Sequence, residues 1–185
     1  MEFILHYHGP LRPNGSSAHK HQLRQVFHQQ LKCLWDQPPL SEHKSYLEPR
    51  KKKSSYYLPR PFGSFVFVPL VTGEMNVIAE LSFVILQPLL HGQLIHGGDI
   101  DNRLKTLFDA LTMPRHQNAF PENIKPKSDQ APFFFCLLED DSLVTSVAVK
   151  TEQLLVPRKD KLIVDVLINV KTRVTRVTPG NPNWN

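Results

Sequence analysis

The stretch GGDIDNRLKTLFDAL, residues 97–111, decides how this chain is read. Leu104, Leu107, Phe108 and Leu111 recur at i, i+3, i+4 and i+7, the stripe of an amphipathic helix, so a helix is expected over 101–111. Just ahead of it, Asp99 and Asp101 flank Ile100. On extended chain leading into a helix, an i, i+2 pair sends both carboxylates to the same side. One acid at a helix start caps free amides and is favoured by the macrodipole by roughly 0.3 to 1 kcal/mol. A cap uses a single carboxylate, however, and leaves Lys105, one turn beyond Asp101, without a role. Two convergent carboxylates with a third donor form an all-oxygen site suited to Mg²⁺ or Mn²⁺. Asp141 or Asp140 is the third donor on offer. The local pattern leaves both readings open, a cap with solvated acids and a hard-cation site.

Outward from this helix the chain reads as alternating elements. EFILHYH (2–8) sets Phe3, Leu5 and Tyr7 against Ile4, His6 and His8, which predicts a first strand. GPLRPNGSS supplies turn and cap residues, and Leu23, Val26, Phe27, Leu31 and Leu34 then mark a helix over 18–35, stopped by Gln37, Pro38 and Pro39. FVFVPLV (65–71) and NVIAELSFVIL (76–86) predict a hairpin, with Pro69 putting the first strand at an edge. FFFCLLEDDSLVTSVAVK is strand-like sequence interrupted by Glu139, Asp140 and Asp141. KLIVDVLINVKTRV, from 161, predicts a last long strand with Leu162, Val164, Val166, Ile168 and Val170 on one side. The expected fold is α/β, a small mixed sheet with two main helices packed on it. The expected organisation is one domain over 1–178, with 36–62 an exposed basic arm, 112–137 largely loop, and 179–185 a disordered tail.

The chain has 185 residues, which suits one domain with a sizeable core, and a formal net charge of +5, which favours a polyanionic partner. No apolar run approaches the ~18 residues of a membrane span. The start MEFILHYH lacks the marks of a secretory signal, so a cytoplasmic location is expected. Cys33 and Cys136 are too few for a disulfide framework or a thiolate zinc site and are expected to pack as small buried groups. His6 with His8, and His19 with His21, have metal-compatible spacings but lack a third soft ligand.

The pair GDIDNRLKTLFDAL (98–111) and LEDDSLVTSVAVK (138–150) resembles the core of the RusA family of Holliday junction resolvases. The shared pattern is an Asp, apolar, Asp, Asn helix start, a lysine four residues after the second Asp, a Phe-Asp-Ala-Leu continuation, and a later Asp-Asp pair opening a strand. HYHGPLRPNGSSAHKHQLRQVF imitates the family's opening strand, Pro/Asn loop and helix. The resemblance implies that Asp99, Asp101 and Asp141 are metal-binding carboxylates, with Asp140 accessory, and that Lys105 is a catalytic lysine. It also implies a homodimer that cleaves branched DNA with Mg²⁺, or Mn²⁺ in its place.

On these grounds the expected activity is a Mg²⁺-dependent endonuclease that resolves four-way junctions by paired symmetric nicks. The metal would activate a water for attack on the phosphodiester, and Lys105 would stabilise the developing charge. Arg50, Lys51, Lys52, Lys53 and Arg60, interleaved with Tyr56 and Tyr57, are candidate DNA contacts, and Arg103 is another. The alternatives are a non-catalytic nucleic-acid-binding module on the same fold and a diverged nuclease acting on other branched or single-stranded DNA. A small-molecule enzyme has no supporting glycine-rich loop or nucleophile motif.

Overall fold

The structure is a computed structural model that describes residues 1–49, 56–88, 100–122, 124–156, 163–182 and 184. In chain order the elements are β1 (Glu2–Pro10), α1 (Ser17–Trp35), β2 (Arg60–Phe62), β3 (Phe65–Val71), β4 (Val77–Gln87), α2 (Ile100–Leu111), β5 (Phe134–Leu138), β6 (Val144–Gln153) and β7 (Ile163–Val174). The fold is mixed α/β, and its strands form two sheets where a single one was expected. The larger has the order β1-β7-β4-β6, with β1–β7 and β7–β4 antiparallel and β4–β6 parallel. The smaller has the order β2-β3-β5, with β2–β3 antiparallel and β3–β5 parallel. No helix among the described residues is long and apolar enough to cross a membrane.

The large sheet follows its period-two sequence. Leu5 and Tyr7 of β1, alternate residues of β4 from Val77 to Ile85, and Val164, Val166, Ile168 and Val170 of β7 turn to one face and are buried. Both helices serve that face. Ser16 caps α1 by accepting the His19 N–H, and α1 buries Leu23, Phe27, Leu31 and Trp35. On α2 Leu107, Ala110 and Leu111 are fully buried, and Phe108 meets Phe83 of β4 at 5.6 Å between ring centres.

The expected hairpin of 65–71 with 76–86 does not form. β3 is buried along nearly its whole length and pairs with the distant β5, so the chain changes sheet at Thr72–Asn76. That corner is a single 3-10 turn capped by Thr72 and closed by Asn76 in the left-handed region (φ 53°). Pro69 therefore lies in the middle strand of its sheet. It is tolerated there because β2 pairs no further than Phe67, leaving β3 bonded on one side at Pro69.

Two segments expected to be loose are built into the core. In the 36–62 region Leu40 and Leu58 are fully buried, residues 40–47 form a 3-10 helix, and Tyr56 packs on Tyr46 and donates to the Thr178 hydroxyl at 2.8 Å. At the other terminus Trp184 is fully buried edge-on against Trp35, and its carbonyl accepts from Thr172 Oγ1 at 2.8 Å. Asn181 Nδ2 donates to the Met75 carbonyl at 2.6 Å, closing the sheet-crossing corner. Of the cysteines, Cys136 is buried and its thiol pushed up by desolvation, whereas Cys33 is exposed.

Candidate active site

The start of α2 is positioned by the loop between β1 and α1. Asn14, left-handed at φ 49°, donates its backbone N–H to the Asn102 carbonyl at 3.3 Å. Gly15 donates to Thr106 Oγ1 at 2.9 Å, and that hydroxyl faces the carbonyls of Arg12 and Asn102, both at 3.1 Å. A Cβ on Gly15 would sit 2.6 Å from the His19 ring and 3.0 Å from Thr106 Cγ2, so glycine permits this approach. Asp101 is exposed in the first turn of α2, its carboxylate accepting the adjacent Asn102 N–H at 2.7 Å. Asp99 lies outside the described residues.

Lys105 is exposed and makes no ion pair among the described residues. Its expected bland role, an i, i+4 pair with Asp101 or Asp109, is not taken up, because Asp109 pairs with Lys20 of α1 at 2.6 Å. The solvent side of α2 thus presents Asp101, a lysine with no ion pair among the described residues and then an Asp109 paired to Lys20.

Asp140 and Asp141 open the turn between the two sheets. Asp140 caps the 3-10 turn 141–143 by accepting the Ser142 N–H at 2.8 Å and is ion-paired to Arg115. Asp141 is largely exposed, 3.5 Å from the same guanidinium. It shares a cleft of about 190 Å³ with Asp109, Thr112, Arg115, His116 and Arg24. Asp109 is eight residues past Asp101, about 12 Å of helix rise. Asp101 and Asp141 therefore stand at opposite ends of α2, and no three His, Cys, Asp or Glu among the described residues are placed to hold one metal ion. In this arrangement a single ion cannot take Asp101 and Asp141 of one chain together.

The expected DNA contacts divide. Arg50, Lys51, Lys52 and Lys53 lie outside the described residues. Arg60 is a structural cation, bonded to Glu139 and Glu74 at 2.9 Å each and to the Tyr57 carbonyl at 2.7 Å. Burial works against charge on both Arg60 and Glu139, but these bonds outweigh it: the Arg60 pKa rises, and that of Glu139, bonded also by Thr72, Arg60 and Gly73, falls. Arg103 turns inward beneath α2, donating to Gln87 Oε1 at 3.0 Å, and its pKa is lowered by desolvation. Arg60 is thus taken up by protein partners, while Arg103 is buried with a single hydrogen bond among the described residues, to Gln87. Of the histidine pairs, His6 and His8 share the Asp165 carboxylate at 3.2 and 2.8 Å, while His19 and His21 are buried, and neither pair belongs to a metal-holding group among the described residues.

Sequence reasoning missed Arg24. It lies in α1 on the side of Leu23 and Phe27, is 2% exposed, and donates to the carbonyls of Asp109 (2.6 Å) and Ala119 (3.2 Å). The one signal in the sequence was a charged residue within the apolar stripe of a helix. A concavity of about 600 Å³ lies on the opposite, open face of the large sheet around Ile4, Ser82 and Asn169, remote from these acids. No family model, curated protein or solved structure matches this chain.

Proposed function

We propose that the chain is a Mg²⁺-dependent endonuclease of branched DNA, most closely a Holliday junction resolvase acting as a homodimer in the cytoplasm. The observation that carries this reading is the exposed line along α2: Asp101, then a lysine with no ion pair among the described residues, then the cleft with Asp141. These groups follow the order of the RusA-like pattern, and their exposure suits a substrate that lies across the surface. Exposed at the surface of α2, Asp101 and Lys105 add nothing to its packing, which is supplied by Leu107, Ala110 and Leu111.

When bound, a divalent ion would supply an activated water and neutralise the phosphate. The described residues of one chain do not form its three-carboxylate cage, so the ligand roles of Asp99, Asp101 and Asp141 rest on the resemblance. Lys105 acts as a point charge on the reacting phosphate or the leaving oxygen. A homodimer holds two copies of every carboxylate. Mixing Asp101→Asn chains with Asp141→Asn chains therefore reports whether one site draws on both copies, by restoring nicking that neither variant shows alone.

The reading is tested by incubating the full chain with synthetic four-way junctions, flaps and single strands, with and without Mg²⁺. Paired symmetric nicks in the junction are expected. Nicking of flaps or single strands with junctions intact would make it a diverged nuclease, and binding without any cleavage would make it a non-catalytic DNA-binding module.

A further inference from the structure

The cleft at the C-terminal half of α2 has a charge pattern that the proposed chemistry at Asp101 and Lys105 does not use. Its floor is Arg24, 2% exposed, whose two hydrogen-bond partners are backbone carbonyls and whose Nε has no partner. A guanidinium is normally buried against a carboxylate, because an uncompensated charge in low dielectric costs several kcal/mol. Arg24 makes no ion pair among the described residues. Asp109, which lines the same cleft, is ion-paired to Lys20, and Asp141 on its rim, with the neighbouring Asp140, to Arg115. Desolvation lowers the Arg24 pKa to about 10, outweighing the pull of the Asp109 carboxylate the other way.

Arg115 and His116 stand on the wall above Arg24. Arg115 points one nitrogen, Nη2, at the two aspartates, and a guanidinium has five N–H donors, so others remain for a ligand. About 190 Å³ is room for one oxyanion with its ester oxygens but not for a nucleoside beside it. The cleft begins at Asp109, one helical turn or about 6 Å of rise past Lys105, so a strand with its reacting phosphate at Lys105 lays a neighbouring phosphate here.

We propose that this cleft is a phosphodiester subsite, in which Arg24 and Arg115 together hold a backbone phosphate next to the one that is cut. The subsite rests on the nuclease reading for its place along the strand, and on Arg24 alone for its preference for an anion. Two arginines form a fork matched to phosphate oxygens, and a phosphate adds negative charge beside a buried guanidinium whose own hydrogen bonds go only to backbone carbonyls.

The test follows the Arg24 Nε–H in ¹H–¹⁵N NMR spectra of the full chain, its signal assigned by its loss in Arg24→Lys. Titration with a thymidine dinucleotide is expected to shift that signal, and chloride at equal ionic strength is not. Arg115→Gln, an exposed substitution, should weaken the dinucleotide's apparent affinity about tenfold and lower the salt slope of oligonucleotide binding by about one. No shift with the dinucleotide overturns the proposal. A shift with inorganic phosphate alone also overturns it, since the site would then take a free anion and not a strand. Shifts at Arg24 in a protein that nicks no DNA leave the subsite standing and remove the nuclease reading, whereas nicking with a silent Arg24 does the reverse.

Discussion

Lys105 and His21 show how differently two basic side chains are used in this molecule. Lys105 is exposed and unpaired among the described residues, so Lys105→Met should leave thermal stability within about 0.5 kcal/mol of the parent. Junction nicking should fall about 10²-fold or more. Unchanged nicking would remove its catalytic role. His21 is 3% exposed among Phe65, Phe120 and Phe134, and burial, with Arg24 and Lys127 nearby, lowers its pKa to about 4. Below pH 6.5 the unfolded chain takes up a proton at this residue that the folded chain refuses until about pH 4. Stability is therefore lost as pH falls through that window, by on the order of 3 kcal/mol for this group. His21→Phe should flatten the acid side of a melting-temperature profile between pH 6.5 and 4, partially, because burial also lowers the pKa of His19 and His28. An unaltered profile would mean that His21 is not held neutral. At this scale the sequence was legible for residue type but not for direction. Asp101 and Lys105 are where their helical spacing puts them, while Arg60 and Arg103 look like phosphate ligands in the sequence and are claimed by Glu139, Glu74 and Gln87, partners far along the chain.

Periodic elements were readable and non-periodic ones were not. Both helices and the alternating strands β1, β4 and β7 fall within two residues of their expected bounds, because each has one buried and one wet face. β3 gave no such signal. It is buried nearly throughout, and its pairing with β5 is set by packing between distant segments, so adjacency to β4 suggested a hairpin that does not exist. The segment TPGNPNWN has turn residues and one tryptophan, which reads as a loose tail; the tryptophan instead fills the space beside Trp35, and Asn181 anchors the run to Met75. Trp184→Ala should cost roughly 3 to 5 kcal/mol in denaturant unfolding, and deleting residues 179–185 at least as much. A loss below 1 kcal/mol would show that the segment is dispensable. Gly15→Ala is expected to disturb the start of α2 by pushing on His19 and Thr106, and so to reduce nicking more than it reduces stability. Equal stability and activity would mean that the loop does not position the site.

Across the whole molecule, the two sheets and two helices leave one side of α2 carrying a row of chemistry: Asp101, Lys105, Asp109 with Lys20, and the Arg24 cleft with Asp141. The acids interrupting the strand-like run at 139–141 sit at the passage from the small sheet to the large one, where Glu139 and Asp140 are half-buried in ion pairs and Asp141 is exposed. This row is longer than a single-ion site, extending about 12 Å from Asp101 to Asp109 alone, and its length suits a nucleic acid strand better than a small molecule. Nicking of a radiolabelled four-way junction by the wild type and by Asp101→Asn, both at protein concentrations that saturate binding, tests the account most directly. Mg²⁺-dependent, paired cuts by the wild type and none by the variant are predicted. Equal cutting by the two proteins, or none by either while both bind the junction, would contradict it.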